Sequence, residues 1–523
     1  MKKHPLLVIM LLAASFLNAQ EDGLTKVTPE SASAKMKVGN YEDALGDYMQ
    51  LLNEDSKNML YNYNVGVCYL NSNVNKAKAV PYLEIVTRKE KHDPNAEYLL
   101  GRAYQYANRF DDAVNTFTKF KEEAKGTVFN LADADLQIQH CINAKELMKF
   151  PVDVTFQNLG SNINSEYSDY YPFVTANESF IVYNTCRPEK GAQEMENGTY
   201  NNSIYVSKVI NGEYMKATAI GAPINAGNAG IEVIGLSANG ENMLLYMPEG
   251  SGKGNIYISK MNAQGVFSKP EKLDNKINSG GEEISATISA GGNILMFASN
   301  RKGGFGGTDI YICKKIPKNG GSWSEPQNAG PSINTPYDED FPNISPDGKI
   351  VYFSSKGHTS MGGYDIFKSG YDETNNTFSS PKNIGYPINT TDDDMNFRIS
   401  KNGKYGYIAA SKSGGQGDLD IYRVTLNEVE SDYSVVIGKL SATDGSTINY
   451  SDVFISVNDN ISKELVGNYL PNPANGRFVV ILPPGKYQMS IETPGYKNMN
   501  KNIEILDKVS YQAEIEMNIE LTK

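Results

Sequence analysis

The chain of 523 residues has one tryptophan, four cysteines and no apolar run long enough to hold a permanent helix across a bilayer. Cys68, Cys141, Cys186 and Cys313 are far apart and include no C-x-x-C pair. That spacing argues against a zinc site and leaves small buried apolar side chains as their expected role. Basic residues are in the minority, 49 Lys and Arg against 61 Asp and Glu, so the net charge of −12 is the reverse of a nucleic-acid footprint. Histidine is scarce too, with His92, His140 and His358 in unrelated contexts beyond His4. No H-E-x-x-H, G-x-S-x-G or phosphate loop is present. The sequence therefore predicts no catalytic residues, no resident cofactor and no dedicated metal site.

What is abundant is glycine (47) and tyrosine (33), as many short strands joined by tight turns require. A five-fold repeat organises them. It reads NSIYV, GNIYI, TDIYI, YDIFK and LDIYR, with its aromatic at Tyr205, Tyr257, Tyr311, Phe367 and Tyr422, in steps of 52, 54, 56 and 55 residues. A fixed period of this size marks one supersecondary unit, repeated radially or in a stack. Each period also holds an Ile-Asn pair (Ile163, Ile224, Ile277, Ile333, Ile388), an apolar strand and a turn with Gly240, Gly292, Gly348 or Gly403 at the position needing positive φ. Four short strands per period are the blade of a β-propeller. The Ile-Asn element occurs once before the first blade and not after the fifth, so the segment VDVTFQNLG at Val152–Gly160 is expected to close the last blade. Five blades follow, six if a degenerate one sits in Gly191–Asn202.

Asp309, Asp365 and Asp420 of the D-I-Y elements recur blade by blade, which points to structural hydrogen bonding rather than catalysis. Asp169, Glu283, Glu339 and Asp394 each lie five residues after the Ile-Asn asparagine and are expected to meet at one end of the ring. With Asp338, Asp340, Asp392 and Asp393 they would form an acidic rim. Such a rim suits a basic partner surface or a hard cation such as Ca²⁺, or merely solvates the loops.

The flanks differ in character. Lys2 and Lys3, the apolar stretch Leu6–Leu17 and Asn18-Ala19-Gln20 read as a secretory leader over residues 1–20, cut near Ala19/Gln20, with no cysteine for lipid attachment. Residues 24–148 have helical periodicity. Ala44, Ala79 and Ala113 recur 35 and 34 residues apart, as do Tyr48, Leu83 and Phe117, and Val65-Gly66…Tyr69 matches Leu100-Gly101…Tyr104. This segment resembles tetratricopeptide repeats, whose groove would hold a polypeptide, closed by a capping helix near Asn130–Met148. From Ser434 onward, clean alternation predicts a small β-sandwich over residues 432–520.

The S-P-D-G-K turn at Ser345–Lys349 and the later G-G-x-D-I-Y resemble the WD40-like (PD40, TolB-type) propeller repeats over residues 151–427. The turn is also similar to a sialidase Asp-box, but the trailing tryptophan and an arginine cluster are missing. N-x-x-N-G-x-F…L-P-P-G-x-Y…G-Y (Asn472–Tyr496) resembles the carboxypeptidase regulatory-like domain. The resulting fold class is multidomain: all-α tetratricopeptide repeats, an all-β propeller and an all-β sandwich. The order resembles the E component of the Por (type IX) secretion system of Bacteroidetes, without the OmpA-like domain usual there. The resemblance implies a non-enzymatic periplasmic scaffold, peripheral to the outer membrane, which binds protein partners through the helical groove and a propeller face and meets peptidoglycan only indirectly. The alternative is a glycan- or peptidoglycan-binding propeller.

Overall fold

The computed structural model describes residues 27–523 except 74, 125–130, 150, 190, 226–229, 250–252, 317–321, 428–433, 472–475, 483 and 507–513. The leader lies outside the described residues, as do Asn472 and Pro483 of the C-terminal signature and the start of the capping helix at Asn130. Among the described residues no helix is long and apolar enough to cross a membrane.

Seven helices come first: α1 (Pro29–Lys37), α2 (Tyr41–Glu54), α3 (Met59–Leu70), α4 (Val80–Thr87), α5 (Pro94–Tyr106), α6 (Phe110–Glu123) and α7 (Leu131–Leu147). Their starts are written locally. Thr28 and Ser31 form a capping box before α1, Asn58 caps α3, and Asp93 caps α5 just ahead of Pro94. Glycine permits the tight crossings. A Cβ on Gly66 would lie 2.6 Å from Leu83, and one on Gly101 would lie 2.7 Å from Phe117.

The expectation of an all-α tetratricopeptide domain is overturned. The described chain is mostly β, with seven helices against thirty-one strands, and of the two helical cores the one around Tyr48 and Leu51 is the helices' own while the other is shared with the propeller. Met361, from a propeller loop, is fully buried in the cluster of Leu83, Leu100, Phe117, Phe120 and Cys141. His140 of α7 is buried and bonds the Lys356 carbonyl at 2.9 Å, and the Asn143 amide donates to the Ser360 carbonyl at 2.7 Å. The surface expected to be an open peptide groove is in part the seat of the propeller. Periodic small and bulky residues report close helix packing, and they leave open what else completes the core.

Five antiparallel sheets form the ring. Their first strands are Asp169–Val174, Glu232–Leu236, Glu283–Ile288, Glu339–Ile344 and Arg398–Ile399. Their third strands are Ser203–Ile210, Lys253–Lys260, Asp309–Ile316, Asp365–Asp372 and Asp420–Leu426. We number these blades I to V. First strands of neighbouring blades pack together around the axis, and the apolar clusters lie between blades, as with Ile288, Leu295 and Phe297 against Ile234, Leu244 and Ile256. Val154–Asn158 is the outer strand of blade V, antiparallel to Asp420–Leu426 from Val154↔Leu426 to Asn158↔Tyr422. Residues 191–202 carry no strand. The ring therefore has five blades and removes an open edge by borrowing a strand from the other end of the propeller.

Beyond it lies a sandwich of two four-stranded sheets around Val436, Ile455, Phe478, Val480, Met489 and Ile491. Cys68, Cys141 and Cys313 are buried and free, and Cys186 is half-buried and free.

Met361→Ala tests the shared helical core. Chemical denaturation should show a loss of about 2–5 kcal/mol, with faster proteolysis around residues 148–152. A change below about 0.5 kcal/mol, within the range of ordinary surface substitutions, would mean the helices stand alone.

Candidate functional site

The two repeated motifs bond to each other in every blade. The Ile-Asn asparagine grips the main chain of the isoleucine in the preceding I-Y/F motif. Asn334 accepts from the Ile310 amide at 2.8 Å and donates to its carbonyl at 3.0 Å. Asn278 does the same to Ile256, at 2.7 and 3.1 Å, and Asn389 to Ile366, at 2.8 Å for both. Asn225 donates to Ile204 at 3.1 Å. Asn164 repeats the grip on Ile421, at 2.8 and 3.1 Å, across 257 residues of sequence. The carboxamide shares that isoleucine's carbonyl with a main-chain amide of the outer segment, as Ala329 donates to Ile310 at 2.9 Å.

Three blades add a relay that sequence reading missed. Asp309, Asp365 and Asp420 are buried acceptors of the loop amides at Phe305, Met361 and Gln416 respectively. Each also accepts from an outer-strand asparagine: Asn328 at 3.0 Å, Asn383 at 2.7 Å and Asn158 at 2.8 Å. Those asparagines in turn accept from Asn334, Asn389 and Asn164. The available signal was N-x-G, recurring at Asn158, Asn328 and Asn383. The D-I-Y aspartates are thus fully engaged in holding the ring.

The acidic rim needs correction. Asp169, Glu283 and Glu339 are fully buried, Asp340 is 3% exposed and Asp394 8%. Four of them clasp their own loop: Ser165, Ser279, Thr335 and Thr390 each donate both an amide and a hydroxyl. Arg187 pairs with Asp169 at 2.9 Å and Arg301 with Glu283 at 3.1 Å. Both arginines also donate to the Ile-Asn carbonyls of Ile163 and Ile277. In blade IV the equivalent carbonyl, Ile333, instead meets His358 at 2.8 Å, whose pKa burial lowers. Glu339 thus lacks the arginine of its counterparts, and burial lifts its pKa to about 7. Burial likewise raises Asp340 to about 6 and Asp365 to about 7, and holds Asp394 well above the usual carboxylate range.

The remaining rim acids are partnered within the chain. Lys356 pairs with Asp338 at 2.9 Å, and Asp393 accepts from the Tyr364 amide at 2.9 Å. Lys76, just before α4, pairs with Asp392, and Asn73 donates to Asp418 at 2.9 Å. The basic partner of this end is therefore, in part, the chain's own helical segment. The rim does not assemble a calcium site either. Among the described residues, the one group of three ligand-type side chains within coordinating reach is His92, in the loop before α5, with Glu97 and Glu123 on α5 and α6, and Lys119 already pairs with Glu97 there. Alternation of acids in sequence could not reveal burial, because the same spacing serves an exposed rim and an internal clasp.

No family model matches this sequence, and no curated protein matches it significantly. Among solved structures, TolB from Acinetobacter baumannii is 17% identical with a TM-score of 0.31, over 50% of this chain and 56% of that one. An endo-arabinase from Bacteroides thetaiotaomicron is 14% identical with a TM-score of 0.32, over 52% and 96%. The WD40 repeats of RRP9 are 11% identical with a TM-score of 0.29, over 53% and 99%. These likenesses are too distant to carry an argument; the propeller is read from its own strand pairing.

The raised carboxylates set a pH dependence. Their folded pKa values exceed the unfolded ones, so the folded chain holds more protons between about pH 4.5 and 7, and stability falls as pH rises through that window. His140, lowered to about 4 by burial, acts in the opposite sense below its unfolded pKa, so the variant difference is the measurement. Glu339→Gln should flatten the fall in unfolding free energy between pH 5 and 7.5 by up to about 1.4 kcal/mol per pH unit. Parallel profiles for the two proteins would show that Glu339 is ionised when folded.

Proposed function

We propose that this chain is a non-catalytic periplasmic scaffold of a cell-envelope complex, of the type IX secretion or gliding kind. The observation that carries this reading lies in the sandwich. Strand Leu465–Tyr469 stands at the end of its sheet, and apolar side chains crowd its exposed surroundings. Ile461 is 83% exposed, Leu470 72% and Leu465 57%. An edge strand ringed by exposed apolar residues is a template for a further strand, and proteins that are not using such an edge usually blunt it with charge or proline. A protein segment added to this edge is the chemistry it fits.

The propeller supports the same reading. Its repeated carboxylates are held in main-chain and arginine bonds, which favours struts over acid–base catalysts. The helices pack on the loops at one end, so the opposite end, with the turns at 176–179, 238–241 and 346–349, is the propeller face offered to a partner.

Leu465→Asp with Leu470→Asp tests it directly. Crosslinking in the native organism, read by mass spectrometry, should recover envelope proteins with the wild-type chain and lose them with the double variant, whose stability changes by less than about 0.5 kcal/mol per surface site. Recovery of the wild type as a lone monomer would refute the scaffold. Saturable binding to a panel of glycans or peptidoglycan fragments, unchanged in the variant, would favour the glycan-binding alternative.

A further inference from the structure

The third-to-last position before the turn of each first strand takes the same place in each sheet. It is Phe173, Gly235, Thr287, Asn343 and Arg398 in blades I to V, aligned by pairing with Val182, Leu244, Met296, Tyr352 and Tyr407. Four are uncharged. The fifth places a guanidinium only 5% exposed where its neighbours need no charge.

Arg398 is positioned rather than loose. Its Nε donates to Asn396 Oδ1 at 2.9 Å, and Asn396 is itself held at φ +59° just before the first strand of blade V. The guanidinium carbon lies 4.3 Å from the centre of the Phe173 ring. Both terminal nitrogens, Nη1 and Nη2, are buried and have no partner among the described residues. No carboxylate opposes the burial, which pulls its pKa down to about 9. Elsewhere in the ring, the half-buried arginines at 187 and 301 are matched by Asp169 and Glu283. A buried cation without a counter-charge is costly unless something anionic completes it. Beside it lies a cavity of about 20 Å³ lined by Phe173, Leu236, Ala238, Asn343 and Ile344 with Arg398. That holds about one water-sized occupant. A dianion such as sulfate would leave one charge uncompensated beside the single guanidinium.

We infer that the axial cavity at the turn end of the propeller is a site for a small monovalent anion, either a free ion of chloride or formate size or the terminal carboxylate of a larger ligand, held by the two unpartnered Arg398 nitrogens. Phe173 covers one guanidinium face, Asn396 fixes its orientation, and the single positive charge favours a monovalent ion over multivalent oxyanions. The site lies at the end away from the helices and is independent of the sandwich edge.

³⁵Cl line broadening on the full chain tests this in sodium chloride at constant ionic strength. The wild type should broaden the line saturably, formate should displace the chloride, and sulfate should not. Arg398→Met should cut the specific broadening at least tenfold, and Ala238→Leu, which fills the mouth but keeps the charge, should do the same should the first variant fail to fold. Equal broadening in wild type and in a folded variant, or equal displacement by sulfate, would overturn the site. Triglycine and triglycinamide then separate the sources. Displacement by the free acid alone assigns the site to a ligand's terminal carboxylate, and displacement by formate alone assigns it to a free ion.

Discussion

Each Ile-Asn asparagine bonds from a single side chain to the main chain of the isoleucine of the I-Y/F motif, four of the five as both donor and acceptor and Asn225 as donor, and the ring depends on that joint. Truncating such an asparagine would strand the buried isoleucine amide, at a cost of about 1–3 kcal/mol, whereas the isoleucine carbonyl keeps a main-chain donor, as Leu159 gives to Ile421 at 3.1 Å. Against a typical folding free energy of about 5–15 kcal/mol, one joint is a large fraction of the whole. The joint at Asn164 is unlike the others in topology only, because it must find Ile421 across most of the propeller. Asn158 and Asp420 reinforce it with the same relay used at Asn328 and Asp309. Closure therefore uses the ordinary chemistry of the repeat.

The contact of helices and propeller shows which forces decide. Ion pairs such as Lys76 with Asp392 are partly exposed and contribute at most about 1 kcal/mol. Burial of Met361 among Leu83, Leu100 and Phe117 stabilises the contact more, and His140 and Asn143 fix the register by bonding loop carbonyls. Apolar burial holds the two parts together, and the polar contacts orient them.

Much of the ring was legible because its motifs are periodic. The turn glycines, the I-Y/F strands and the closing role of Val152–Gly160 all follow from spacing. The helical segment misled for a physical reason: the small-residue periodicity of Ala44, Ala79 and Ala113 reports tight helix crossings, and nothing in it reveals that Met361, more than two hundred residues away, completes the core. The acids misled differently. Glu283 and Glu339 have the same sequence spacing, yet one meets Arg301 and the other sits without a cation because His358 occupies the corresponding carbonyl. Arg398 was invisible for the opposite reason, since a single departure from a repeat looks like noise until the strands are aligned on the axis.

If the asparagine joints make the ring one cooperative unit, weakening one should be felt in all. Native-state hydrogen exchange of the Asn164→Ala variant measures this directly, through the amides of Ile204, Ile256, Ile310, Ile366 and Ile421. The account predicts that protection falls by a similar factor in all five blades. Loss confined to Ile421 and its blade I neighbours, with Ile256, Ile310 and Ile366 unchanged, would contradict it.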